Sequence, residues 1–219
     1  MSETRPFWRR KVVVTPAIWI VVITAMLLGT KFYAPGTEPA DTGVVTNENI
    51  VADPAAYAEE HYSTTVVPTI EDNAVDLATL LQMIEENPDA AAAEHGFQNG
   101  ESPFSYPVRF TGTVTERVFG KILVEVPDVE SGITVGVQTG PALTGTAIRD
   151  AVGLITFEMF RNQIDFASVA TALNEQTKVN VLESLDFDSL VGSEVTVTGA
   201  FTDSSPTDVT VTAISIVEN

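Results

Sequence analysis

The sequence predicts an α+β protein: an N-terminal transmembrane helix, a small helical subdomain, then an OB-like five-stranded β-barrel with a helical insert between strands 3 and 4. Three observations carry that prediction. Val12 to Thr30 (VVVTPAIWIVVITAMLLGT) is 19 residues without a charge. Between Asp53 and Gly96 the cap-and-proline pairs Asp53-Pro54 and Asn87-Pro88 and one apolar stripe at helical spacing, Leu77 to Ile84, mark short helices. After Gly100 the spacing changes to two: three strand segments, a helical stretch and two further strand segments, the element order of an OB-type barrel. A five-stranded α+β sheet that stays open is the alternative.

The first 31 residues hold Arg5, Arg9, Arg10, Lys11 and Lys31 against one acid, Glu3, a net of +4. The uncharged run behind them is long enough to cross roughly 30 Å of hydrocarbon at about 1.5 Å per residue. Pro16 falls in its first turn or so, where a missing N–H costs least. Trp8 and Tyr33 stand at the two headgroup levels. Three bases abut the N-terminal end and Lys31 alone the other, so the N-terminus is expected inside and the rest of the chain outside. Residues around Lys31–Ala34 lack a small-x-small cleavage site, and Leu27-Leu28-Gly29-Thr30 has Thr where a lipid-bearing Cys would stand. An uncleaved single-span anchor is therefore expected. The predicted organisation is a basic tail at 1–11, the anchor at 12–33, a linker at 34–52, the helical subdomain at 53–100 and the barrel domain at 101–219.

Asp53-Pro54 reads as an N-cap and first helical position, opening a short helix to about Tyr62. A second helix is expected from about Asn73 to Glu86, with Leu77, Leu80, Leu81 and Ile84 forming one stripe. Asn87-Pro88 restarts a third, which His95-Gly96 closes. Tyr106, Val108, Phe110, Gly112 and Val114 alternate with polar neighbours as the first strand; Lys121–Val126 and Ile133–Gln138 follow, separated by a turn at Asp128–Gly132. Thr144–Val152 and about Gln163–Ser184 read as helices, and Glu194–Thr202 and Asp208–Val217 as strands joined by Asp203-Ser204-Ser205-Pro206.

Residues 32–219 carry 29 acids against 6 bases, a net of −23, with no Lys or Arg from Phe32 to Val108. Such a surface repels phosphates, so nucleic acid is excluded as a partner. Without Cys there is no disulfide, thiolate metal site or Cys nucleophile. His61 and His95 lie 34 positions apart and do not form a zinc pair, and Asp186-Phe187-Asp188 lacks the later ligands of a calcium loop. No nucleophile elbow or phosphate loop is present. No catalytic residue, metal or cofactor is expected, and nothing argues for an enzyme. Gly140–Asn174 stands out, because it holds two of the six bases among amides, acids and three Phe. Arg149, Asp150, Arg161, Asn162, Gln163, Asp165 and Asn174 are the candidate ligand- or partner-binding residues, since a few placed polar groups in an apolar wall build sugar and peptide sites. The same residues also suit a network that pins the insert to the barrel, with Asn162 capping the helix behind it.

The segments GPALTGTAIRDA and FRNQIDFASVATALNEQTK, with AVDLATLLQMIEENP and FTGTV upstream, resemble a family of predicted periplasmic lipoproteins of unknown function, over roughly residues 54–217. Members are typically encoded beside sugar ABC transporters. The resemblance implies an extracytoplasmic, membrane-tethered module linked to carbohydrate uptake, and carries over no catalytic residue. Here a transmembrane helix would replace the lipid. The expected function is an accessory or binding module docking sugar ABC transporter subunits or a sugar-binding protein through the Gly140–Asn174 surface. A structural cell-envelope protein with an acidic contact surface is the alternative. A glycan-cleaving carboxylate pair ranks third.

Overall fold

The computed structural model describes residues 50–219. The expected anchor at 12–33, the basic tail and nearly all of the linker lie outside them. Among the described residues no helix is long and apolar enough to cross a membrane.

Helix α1 (Pro54–His61) starts where Asp53 Oδ1 accepts from the Ala55 and Ala56 amides at 2.9 and 3.2 Å. The chain does not leave the helix near Tyr62 as expected. A π turn (Tyr62–Val66) leads into α2 (Val67–Asn73), in whose first turn the missing N–H of Pro68 does least harm. The next helix was expected from about Asn73, but Val75–Asp76 first forms a short strand, β1, parallel to Val108 and Arg109. Asp76 then caps α3 (Leu77–Glu86), accepting from the Thr79 amide and hydroxyl at 2.9 Å each. A carboxylate able to cap three residues downstream outweighs the helical spacing upstream of it. Asn87 caps α4 (Pro88–His95).

The barrel strands are β2 (Ser105–Val118), β3 (Lys121–Glu125), β4 (Thr134–Gln138), β5 (Glu194–Thr202) and β6 (Asp208–Glu218). Around the sheet they run β2-β3-β4-β6-β5, and β5 returns to β2. Closure depends on the length of β2: Ser105–Thr113 pairs with β5, and Thr113–Val118 pairs with β3 across an irregularity at Val114/Glu116. Among these five barrel strands only β4 and β6 pair in parallel. Alternate residues of β2 (Tyr106, Val108, Phe110, Val114) face the interior, and Arg109, Thr111 and Thr113 face out. The barrel therefore closes, and the open-sheet alternative falls away.

Two apolar clusters hold the fold. The barrel interior is sealed at one end by Leu77 and Leu80 from α3, and includes Leu182, Phe187 and Leu190 from the segment before β5. The second cluster lies outside the barrel. There Ala200 of β5 and Ile214 of β6 meet the helices α1, α2, α5 (Ala147–Ala151) and α6 (Gln163–Thr177). The α5 helix is shorter than the expected Thr144–Val152. The α6 helix passes into a π turn at Lys178–Leu182. The Tyr62 hydroxyl donates to Thr177 Oγ1 at 3.0 Å and ties the first π turn to the end of α6; burial pushes that phenol's pKa up, and the Thr177 bond partly offsets it.

Candidate functional site

A broad concavity forms where α3 crosses the barrel end. Leu77 and Leu80 point into the core, whereas Leu81 and Ile84 on the neighbouring flank stay half-buried. Two loops complete the walls. The β3–β4 loop (126–133) turns back on itself, with the Val129 amide donating to Val126 O at 3.4 Å and the Ile133 amide to Glu130 O at 3.2 Å. Asp128 sits there at φ 63°, a left-handed conformation that Asp tolerates better than most residues. The β5–β6 loop (203–207) is braced by Ser205 Oγ, which accepts from the Asp208 amide at 3.2 Å. Because β4 and β6 run parallel from Thr134 and Asp208, these loops emerge side by side.

Between them and α3 lies a groove of about 710 Å³. Ala78, Leu81, Ile84, Val129, Ile133 and Val209 supply its apolar floor. Glu85, Asp128, Glu130 and Asp203 supply four carboxyls, and no Lys or Arg lines it. Burial pushes the Asp203 carboxyl pKa above its ordinary value; burial, and then the Asp203 charge, push the Tyr106 hydroxyl up. Two smaller hollows adjoin the barrel. One of about 360 Å³ involves Asp76, Arg109 and Asp128. The other, of about 300 Å³, is ringed by Lys121, Gln138, Thr144, Thr210 and Thr212. Among the described residues no group of three or more His, Asp or Glu could hold a metal ion.

The seven candidates from Gly140–Asn174 divide into three groups. Arg149 and Asp150 are 6% and 1% exposed and face each other, Nε to Oδ1 at 2.7 Å. Arg149 Nη1 also donates to Phe166 O at 3.0 Å, and its guanidinium stacks 3.7 Å from the Phe166 ring centre. Asp150 Oδ1 accepts a second bond from Asn99 Nδ2 at 2.7 Å. Asn174, also buried, donates to Gly145 O at 3.0 Å. These three side chains are spent inside the fold. Exposed Arg161 and Asn162 form a second group with the half-buried Asp165. Asn162 Oδ1 caps α6 by accepting from the Ile164 and Asp165 amides at 2.9 Å. Arg161 Nε donates to Asp165 Oδ2 at 3.0 Å and Nη2 to Ala52 O at 2.6 Å, beside the bridge between Val51 and Phe160. Gln163 is exposed at the start of α6. No candidate lines the groove, and the groove's residues were not among the candidates. The one sequence signal for them was the stripe Leu77, Leu80, Leu81, Ile84, wider than one buried face requires.

A closed 1-2-3-5-4 barrel whose helical insert follows the third barrel strand defines the class: an OB-fold domain. A solved OB-fold protein from Thermotoga maritima shares that fold. It is 23% identical, covers 76% of this chain and 98% of its own, and superposes with a TM-score of 0.60. The chain belongs to the family described as predicted periplasmic lipoprotein (DUF2291), whose model matches residues 20–217. Among curated proteins, none matches it.

Proposed function

We propose that this chain is a non-catalytic docking module, tethered to the membrane by residues 12–33, that works outside the membrane beside a sugar importer. The groove between α3 and the two barrel loops carries the reading: a concavity of about 710 Å³ with an apolar floor is the size and character of a binding site, not of a packing defect. Family membership supports an extracytoplasmic place, and the uncharged run with its flanking bases supports the tether. The sugar link rests on the resemblance alone. The docking surface moves from Gly140–Asn174 to the groove, because Arg149, Asp150 and Asn174 are consumed by internal bonds.

Leu81→Arg should block the groove from a half-buried floor position without touching Leu77 or Leu80. Uptake of a panel of pentoses and hexoses by cells carrying this variant, or lacking the chain, is expected to fall for at least one sugar at unchanged membrane levels of the protein. Unchanged uptake across the panel would refute the importer role and leave the structural envelope protein as the better reading.

A further inference from the structure

We propose that the groove's occupant is a basic, amphipathic peptide segment of a partner protein; this rests on the docking reading above and gives it a ligand class. Charge complementarity is the first argument. Each of the six bases of the described region is engaged elsewhere: Arg117 with Asp188 (2.7 Å), Lys121 with Asp208 (3.6 Å), Arg149 with Asp150, Arg161 with Asp165, Lys178 with Glu175 (2.8 Å), and Arg109 with Thr198 Oγ1 (3.0 Å). Glu85, Asp128, Glu130 and Asp203 take part in no ion pair among the described residues. Among the described residues the fold therefore supplies no ion-pair partner to these four carboxyls, in a concavity where apolar floor and acids coincide. A ligand that fits must bring both cations and apolar surface.

The shape favours a peptide over a small amine. Ala78, Leu81, Gln82 and Glu85 line the groove at i, i+3, i+4 and i+7, a track of roughly 10 Å along α3. The β3–β4 loop brings further apolar and acidic side chains, Val129 and Ile133 with Asp128 and Glu130. Apolar, amide and acidic contacts spaced along a track match how grooves read a peptide's side chains at periodic spacing. Asp203 adds a third argument. Its carboxyl is half-buried, accepts no hydrogen bond among the described residues and has its pKa raised by desolvation. An arriving Lys or Arg would satisfy it.

The test uses the full-length chain in detergent and a fluorescein-labelled twelve-residue peptide of alternating Lys and Leu, read by anisotropy. Its Glu/Leu counterpart and hexylamine serve as competitors. The Lys/Leu peptide is expected to bind, and the double variant Glu85→Gln/Glu130→Gln to weaken it about tenfold, since two rim contacts are lost. Removing two acids outside the groove, Glu59→Gln/Glu60→Gln, should leave it within about twofold, as expected for screened surface charges. Equal weakening by both pairs would mean diffuse attraction to an acidic surface and would overturn the proposal, as would no binding. Displacement by millimolar hexylamine would overturn the peptide class in favour of a small organic cation. Peptide binding with no uptake defect in Leu81→Arg cells would refute the importer reading alone; an uptake defect without peptide binding would refute the ligand class alone.

Discussion

The isosteric change Asp150→Asn tests whether Arg149 and Asp150 serve the fold. It removes the charge that Arg149 Nε faces at 2.7 Å, while Arg149 stays 6% exposed. What remains to the guanidinium is the neutral amide oxygen of the new Asn, Phe166 O at 3.0 Å, and the face of the Phe166 ring. Removing one partner of a buried ion pair costs about 3–5 kcal/mol, because the other charge is left desolvated. The retained carbonyl bond and ring contact place this case near the lower end, at roughly 3 kcal/mol. Against a total of about 5–15 kcal/mol that loss is large. With a urea slope near 2 kcal/mol/M it moves the unfolding midpoint down by roughly 1.5 M. The double change Arg149→Met/Asp150→Leu leaves no orphan charge and should recover at least half of the loss. Urea unfolding followed by circular dichroism reads all three proteins. A loss below about 1 kcal/mol for Asp150→Asn, or a double variant no better than the single one, would refute the reasoning. The same logic makes Arg149→Ala a poor probe of docking, since it would disturb α5 and α6 before any partner was met.

Gly199→Val should be severe: a Cβ there would collide with Thr212 O and approach Ala213 Cα at 2.8 Å where β5 and β6 cross an irregular register, so the thermal midpoint should fall by several degrees or more. Asn162→Ala removes the cap of α6 and is expected to cost about 1 kcal/mol in urea unfolding. Asp203→Asn should do the reverse near neutral pH. The folded state raises that carboxyl's pKa, so its favourable contribution is present below the unfolded pKa and is lost as pH rises through the folded one. The amide avoids the loss, and the group is half-exposed, so the gain is expected to be a few tenths of a kcal/mol at pH 7 and none at pH 3. A lower melting temperature at pH 7 for Asp203→Asn would contradict it. A stability gain joined to weaker peptide binding is the signature of a residue kept for its ligand.

The barrel was legible in the sequence because period two survives in β2, β5 and β6, and because Asp128–Gly132 and Asp203–Pro206 announce their turns. The helical boundaries were less so. Continuing the chain from α1 into α2 depends on a π turn packed against α6, a tertiary contact that no local pattern reports. At β1, Asp76 serves both as strand residue and as cap, and pairing with Val108 and Arg109 decides between the two. The site was the least legible part. Gly140–Asn174 has the composition of a binding surface, but composition cannot distinguish Arg149 turned inward from Arg161 turned out. The groove is assembled from three segments 43 or more positions apart, α3, 128–133 and 203–209, and each reads alone as an ordinary helix or turn. Only closure of the barrel brings β4 and β6 into parallel register and sets the two loops beside α3.

The claim that the α3 groove is where this module meets its partner is tested most directly by a photo-crosslinking residue at Gln82, on the groove wall, compared with one at Thr171 on the outer face of α6, in the protein's own membrane. Gln82 is expected to yield an adduct mapping to a Lys- or Arg-containing amphipathic segment of an importer subunit or its binding protein, and Thr171 is not. Adducts of equal yield from both positions, or none from Gln82, would contradict it.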